Sequence, residues 1–200
     1  MIKNVPVLAV TPGEPAGIGP ECTIRLAHEH PDLSLLAVAD PDILTAAADA
    51  LGYGVGIKSW QPGDKFVTGQ INCYPVSLAQ TAKPGHLDPA NAAYVVETIK
   101  SAVRLVRAGH AGALVTGPVH KGIINDGGIA FSGHTELLAE LAGVKKVVMM
   151  LAAGSLRVAL VTTHLPLRDV ADAITIENVR SSLRITHHEL CTRFGINDPV

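Results

Sequence analysis

Short apolar runs alternate with helix-forming stretches along most of this 200-residue chain, and that alternation limits the fold more than any other feature. Residues 5–10, 35–39, 71–76 and 113–116 read as strands, several of them continuously apolar. Residues 19–30, 41–51 and 91–108 read as the intervening helices, the last with Val95, Ile99, Val103 and Val106 on one face and a stop at Gly109. Beyond them, helices are expected over 135–142 and 176–194, the second capped by Thr175, and strands over 147–151 and 157–162. Strands without polar alternation must be covered on both faces. The pattern therefore predicts an α/β fold, a mostly parallel sheet between helical layers. Residues 52–70 are glycine-rich and are expected to form an irregular surface excursion. Apolar residues make up 48% of the chain, enough for a sizeable core, and aromatics only 4%, so that core should be aliphatic.

The first apolar run leads into "VTPGEPAGIGPE", residues 10–21. Two familiar glycine motifs fail there. A P-loop needs Lys and then Ser or Thr after its last glycine, whereas Gly19 is followed by Pro20 and Glu21. A dinucleotide fingerprint needs G-x-G-x-x-G, and the glycines fall at 13, 17 and 19. Pro20 suits a first helical turn. Glu21 complements the helix dipole there but would repel a phosphate docked on the same amides. A ligand-binding loop and a close-packed strand-to-helix turn both remain open.

Three expected strands finish in Val-Thr, at residues 10–11, 115–116 and 161–162. Open α/β sheets bind ligands outside the carboxyl ends of their strands, so these ends are the first places to look for chemistry. After Thr116 the chain runs "GPVHKGIINDGGIAFSGHTE", which carries His120, Lys121, Asn125, Asp126, Ser132, His134 and Thr135 among five glycines. It is expected as a long functional loop ending where a helix starts near Thr135, whose free amides would favour a phosphate or carboxylate. After Thr162, His164 is held just ahead of Pro166, a candidate metal ligand or general base. The alternative is a hydrogen-bonded structural histidine, since a catalytic zinc needs three protein donors. His187 and His188 are adjacent on an expected helix and point apart, so they cannot chelate together.

Formal net charge is −2 with no basic stripe, so a nucleic-acid partner is not expected. Cys22, Cys73 and Cys191 form no CxxC pair, which fits a reducing compartment, the cytoplasm. The start "MIKNVPVLAV" is too short and β-like for a signal peptide, and no apolar run reaches membrane-spanning length.

Four stretches carry a family resemblance: the 10–21 loop, "ALVTGPVHKGIINDGGIAFSGHTE", "KKVVMMLA" and "LRVALVTTHLPLRDVADAIT". Together they closely resemble the 4-hydroxythreonine-4-phosphate dehydrogenases of pyridoxal phosphate biosynthesis. The resemblance implies an isocitrate/isopropylmalate dehydrogenase-like fold with two α/β lobes, here expected as residues 1–125 and an incomplete second, dimerising and metal-binding lobe over 126–200. It implies a homodimer and NAD or NADP as cofactor, bound without a Rossmann loop. It also implies a divalent metal, Zn, Mg or Co. The substrate would be a small phosphorylated hydroxy amino acid, oxidised and decarboxylated to 3-amino-2-oxopropyl phosphate. The family's substrate-contacting His-Thr pair falls on His134 and Thr135, and one of its three metal-binding histidines on His164. No catalytic or cofactor-binding residue is assigned, and Lys121 and Asp126 receive no role. The final "FGINDPV" leads towards a further strand, so a C-terminally truncated chain, inactive alone, is expected. The alternatives are a paralogue acting on threonate or erythronate 4-phosphate, and a non-catalytic binding or dimerisation fragment.

Overall fold

The computed structural model describes residues 6–199, so the start of the first expected strand, at Val5, lies outside the described residues. The chain divides into two compact units, Met1–Leu141 and Ala142–Val200. That division falls later than the expected lobe boundary between residues 125 and 126.

In chain order the first unit holds β1 (Leu8–Thr11), α1 (Gly19–Glu29), β2 (Leu35–Ala39), α2 (Pro41–Leu51), β3 (Ile57–Ser59) and β4 (Ile71–Pro75). It continues with α3 (Ala92–Arg107), β5 (Ala113–Thr116), α4 (Lys121–Asp126) and α5 (His134–Ala142), which runs to the boundary. The strands form one five-stranded sheet in the order β3-β4-β2-β1-β5, with every pairing parallel. The central strand β2 is buried along its whole length. Its alternating side chains divide between two cores. Ala37 and Ala39 pack with Ile24 of α1 and Leu44, Ala47 and Ala48 of α2. Leu36 and Val38 face the other way, onto Ala102 and Leu105 of α3 and onto Trp60. Helices therefore cover both faces, as the unbroken apolar runs require. Full burial of each Leu or Val in β2 contributes on the order of 1.5–3 kcal/mol.

Local chemistry fixes the element ends. Asp40 caps α2: one carboxylate oxygen accepts from the Asp42 N–H at 2.9 Å, and the other accepts from the Leu78 N–H at 2.9 Å. Gly52 closes the same helix in the left-handed region at φ 67°, where a side chain would be strained. The amphipathic stripe of α3 differs from the expected one. Val95 and Ile99 are buried, but Ala102 and Leu105 complete the stripe while Val103 and Val106 are half-buried. The cause is that α3 is covered on two sides, by the sheet and by a cluster that includes Ile124 of α4 and Phe131. The 52–70 excursion is also not purely surface. It contributes the edge strand β3 and then Trp60, 1% exposed, whose ring meets Phe66 and His110 with centroids 5.0 and 5.6 Å away.

The second unit contains an antiparallel hairpin, β6 (Met150–Ala153) and β7 (Leu156–Ala159), then α6 (Leu167–Ala173) and α7 (Ile176–Thr192). The hairpin turns through Gly154 at φ 57°. The Thr175 hydroxyl caps α7 by accepting from the Asn178 N–H at 3.2 Å, as expected. The Lys146 ammonium donates to the Asn178 carbonyl at 2.9 Å and to the Ser181 hydroxyl at 2.6 Å, tying the segment ahead of the hairpin to α7. Among the described residues no helix is long and apolar enough to cross a membrane.

Candidate functional site

Strand order reverses between β1 and β5. The chain leaves β1 towards β2 on one side, while β5 arrives on the other side of β1 after α3 has crossed the opposite face. Their carboxyl ends are in register, Thr11 beside Thr116, so the loops that follow meet at the topological switch point of the sheet. Those loops are locked main chain to main chain. The Gly117 N–H donates to the Thr11 carbonyl at 2.6 Å, and the Glu14 N–H donates to the Pro118 carbonyl at 2.9 Å. A Cβ on Gly13 would lie 2.2 Å from the Pro118 oxygen, and one on Gly117 2.3 Å from the Pro12 oxygen. A Cβ on Gly19 would lie 1.6 Å from that same Pro12 oxygen. These glycines are required by close backbone approach. The 12–19 loop is thus a packed strand-to-helix turn and does not form a pyrophosphate cradle.

The loop carries one residue of chemical interest that composition and motif did not single out. Glu14 is buried, its carboxylate accepting from the Ala16 N–H at 3.1 Å. Burial raises its pKa above the ordinary carboxylate value, outweighing the Ala16 bond and the nearby His120, which both act downwards. The hydroxyl of Thr11 is buried beside this loop without a hydrogen-bond partner.

The segment after β5 is not one long loop. Residues 121–126 form the short helix α4, capped by the His120 ring, whose Nδ1 accepts from the Ile123 N–H at 3.1 Å. Asn125 closes the following turn. Its amide donates to the Lys121 carbonyl at 2.7 Å and to the Phe131 carbonyl at 3.1 Å, and its oxygen accepts from the Phe131 N–H at 3.1 Å. That bracket delivers the chain to α5, which begins at His134, one residue before the expected start. The His134 ring meets Phe131 edge-on at 6.1 Å, and its Nε2 is shielded from solvent with no hydrogen-bond partner. Burial first, and then the Lys121 ammonium, hold the His134 pKa below the ordinary histidine value. The ring is therefore neutral near pH 7. Thr135 follows it, half-buried. Lys121 and Glu136 both reach over Gly133: a Cβ there would lie 3.3 Å from the Lys121 Nζ and 2.7 Å from a Glu136 carboxylate oxygen. Asp126 is exposed at the end of α4.

His164 belongs to the second unit and is not at a strand terminus. β7 ends at Ala159, and His164 is exposed in the loop beyond, with a left-handed φ of 58°. Among the described residues no group of three or more His, Cys, Asp or Glu is arranged to hold a metal ion. A lone exposed imidazole does not make a metal centre. A cavity of about 460 Å³ opens further along the sheet's carboxyl edge, lined by Asp40, Asp42, Gln80 and Thr81 among others. Each Asp40 oxygen accepts a backbone N–H there, which fixes the carboxylate at the rim of the cavity.

These features define a parallel α/β protein with polar groups gathered beyond the strand ends and no Rossmann cradle. Residues 32–200 match the family model described as pyridoxal phosphate biosynthetic protein PdxA, and the chain belongs to that family. It is 49% identical over 194 residues to a 4-hydroxythreonine-4-phosphate dehydrogenase of Chromobacterium violaceum, covering 97% of this chain and 59% of the relative. It is 50% identical over 195 residues to the enzyme of that name from Pseudomonas putida, covering 96% of this chain and 59% of the relative. Among solved structures, a 4-hydroxythreonine-4-phosphate dehydrogenase from Burkholderia phymatum superposes with a TM-score of 0.86 at 31% identity, over 94% of this chain and 59% of the other. One from Klebsiella pneumoniae gives 0.84 at 26% identity, over 95% and 60%. The chain thus spans 59% of the length of the two curated relatives.

Proposed function

We propose that the protein containing this chain oxidises 4-hydroxythreonine 4-phosphate with NAD or NADP and a divalent metal. The β-keto acid formed then decarboxylates to 3-amino-2-oxopropyl phosphate on the way to pyridoxal phosphate. Identity near one half over almost the whole chain to enzymes of that name supports the assignment. The structural observation that carries it is the half-buried, neutral-leaning His134 with its unpaired Nε2, followed directly by Thr135 at the start of α5.

In this proposal His134 and Thr135 orient the substrate. A neutral imidazole exchanges one hydrogen bond with a substrate oxygen through Nε2, and the Thr135 hydroxyl and the first amides of α5 add donors for an anionic group. Phe131 meets the ring edge-on. His164 is assigned as one ligand of a divalent metal; among the described residues no group of three or more His, Cys, Asp or Glu completes such a site. The nicotinamide supplies the hydride acceptor when bound, and it is held elsewhere than the closed 12–19 loop. The complete protein is taken to act as a homodimer in the cytoplasm.

The test is turnover by the complete enzyme, followed through nicotinamide absorbance, with 4-hydroxythreonine 4-phosphate beside threonate and erythronate 4-phosphates. The first substrate should be preferred. His134→Ala should lower kcat/KM by about 100-fold or more, the scale of losing an oriented polar contact to substrate. Preference for either of the other two phosphates, or indifference to His134→Ala, would overturn the assignment.

A further inference from the structure

Lys121 has no place in the roles given so far, yet its position is unusual. Its ammonium lies over Gly133, immediately before His134, and its charge is felt at the His134 ring. Among the described residues it takes part in no ion pair within 4.0 Å. A cation near a half-buried imidazole is electrostatically unfavourable for the imidazolium form, and an anion bound near both compensates it. Gly133 permits the arrangement, because any side chain there would meet Lys121 and Glu136. Asn125 fixes it. Its three hydrogen bonds join the backbone at Lys121, the first residue of α4, to Phe131, three residues ahead of His134.

We propose that Lys121 is a substrate-binding residue that takes an anionic group, phosphate or carboxylate, next to the unpaired Nε2 of His134, and that Asn125 is the positioning residue that sets its place. The assignment rests on His134 and Thr135 holding the substrate. It adds the cation that a phosphorylated hydroxy acid requires there, which neither residue supplies. Glu136 reaches over the same side of Gly133 as Lys121, so a ligand that misplaces its negative charge meets a carboxylate.

The experiment titrates inorganic phosphate into wild type, Lys121→Met, Lys121→Arg, Asn125→Ala and His134→Ala, by calorimetry and by the His134 ring resonances. Wild type should bind phosphate and shift the His134 signals. Lys121→Met should weaken binding by about tenfold or more, the scale of one charge-assisted hydrogen bond. Lys121→Arg should recover most of the loss, which a merely structural role would not. Asn125→Ala should weaken binding by a smaller factor while Trp60 fluorescence still reports a folded first unit. Equal binding by wild type and Lys121→Met, or phosphate that leaves the His134 resonances unmoved in wild type, would overturn the proposal. The titration needs neither cofactor nor turnover. If the complete enzyme ignores 4-hydroxythreonine 4-phosphate while these binding results hold, the reaction assignment fails and the Lys121 assignment stands. If turnover is as proposed and Lys121→Met binds phosphate normally, the reverse follows.

Discussion

Replacing Gly13 by Ala should be among the most damaging single-atom additions to the first unit. Gly13 sits at φ +84°, and its missing Cβ would lie 2.2 Å from the Pro118 carbonyl oxygen. Two costs follow. An L-residue in the left-handed region costs about 1–2 kcal/mol. The steric cost is relieved only if the two backbones part by roughly 1 Å, since 3.4 Å is the near limit of ordinary contact. Parting breaks the 2.9 Å bond from the Glu14 N–H to the Pro118 oxygen. An unmade buried hydrogen bond costs about 1–3 kcal/mol. The sum is about 2–5 kcal/mol, a large share of the roughly 5–15 kcal/mol that holds a domain folded. The control is Gly52→Ala, also at positive φ (67°) but with open space around the added methyl, so it carries only the first cost. Trp60 is the single tryptophan and lies in the first unit, so urea unfolding followed by its fluorescence reads this unit alone. If Gly13→Ala proves no more destabilising than Gly52→Ala, the locked-backbone account of the switch point is wrong.

Two other expectations concern titrating groups. The His134 ring, followed by NMR against pH, should titrate below the ordinary histidine value of 6.5, and Lys121→Met should raise it only partly, because burial is the larger cause. The unfolded chain takes up that proton first as pH falls, so His134's contribution to stability is full above pH 6.5 and is lost as pH drops through the folded-state pKa. A titration at or above 6.5 would contradict the burial of the ring. The Cys73 thiol is pushed up to about 12, chiefly by burial. At mildly alkaline pH a thiol reagent should label exposed Cys22 and leave Cys73 untouched until the first unit unfolds, which mass spectrometry of the labelled peptides would show.

The parts of the fold that were legible in the sequence are those where one local signal decides the outcome. Residues 35–39, 41–51 and 113–116 form their elements with the expected bounds, because an unbroken apolar run, an Asp-Pro start and a glycine stop each act locally. What was not legible depends on partners. The run Val158–Val161 has strand composition, but β7 ends at Ala159 because β6 begins at Met150 and only one further bond, Leu160 N–H to Met149 carbonyl, extends the ladder. α4 was missed because six residues show no helical period and its cap is a histidine, not Ser, Thr, Asp or Asn. In the site, His134, Thr135 and Lys121 stood out as chemistry-bearing residues in one glycine-rich segment. The burial of Glu14 and the bracket made by Asn125 are tertiary facts, and a single Glu or Asn in a turn does not announce them.

The main-chain lock between the loops after β1 and β5 has an evolutionary consequence. When two side chains collide, a second mutation can trim one of them and rescue the first. Here the obstructing atoms at positions 13, 19 and 117 are carbonyl oxygens that every amino acid carries. A library that randomises these positions should therefore return glycine in every genetic background, and a search for intragenic suppressors of their loss should come back empty.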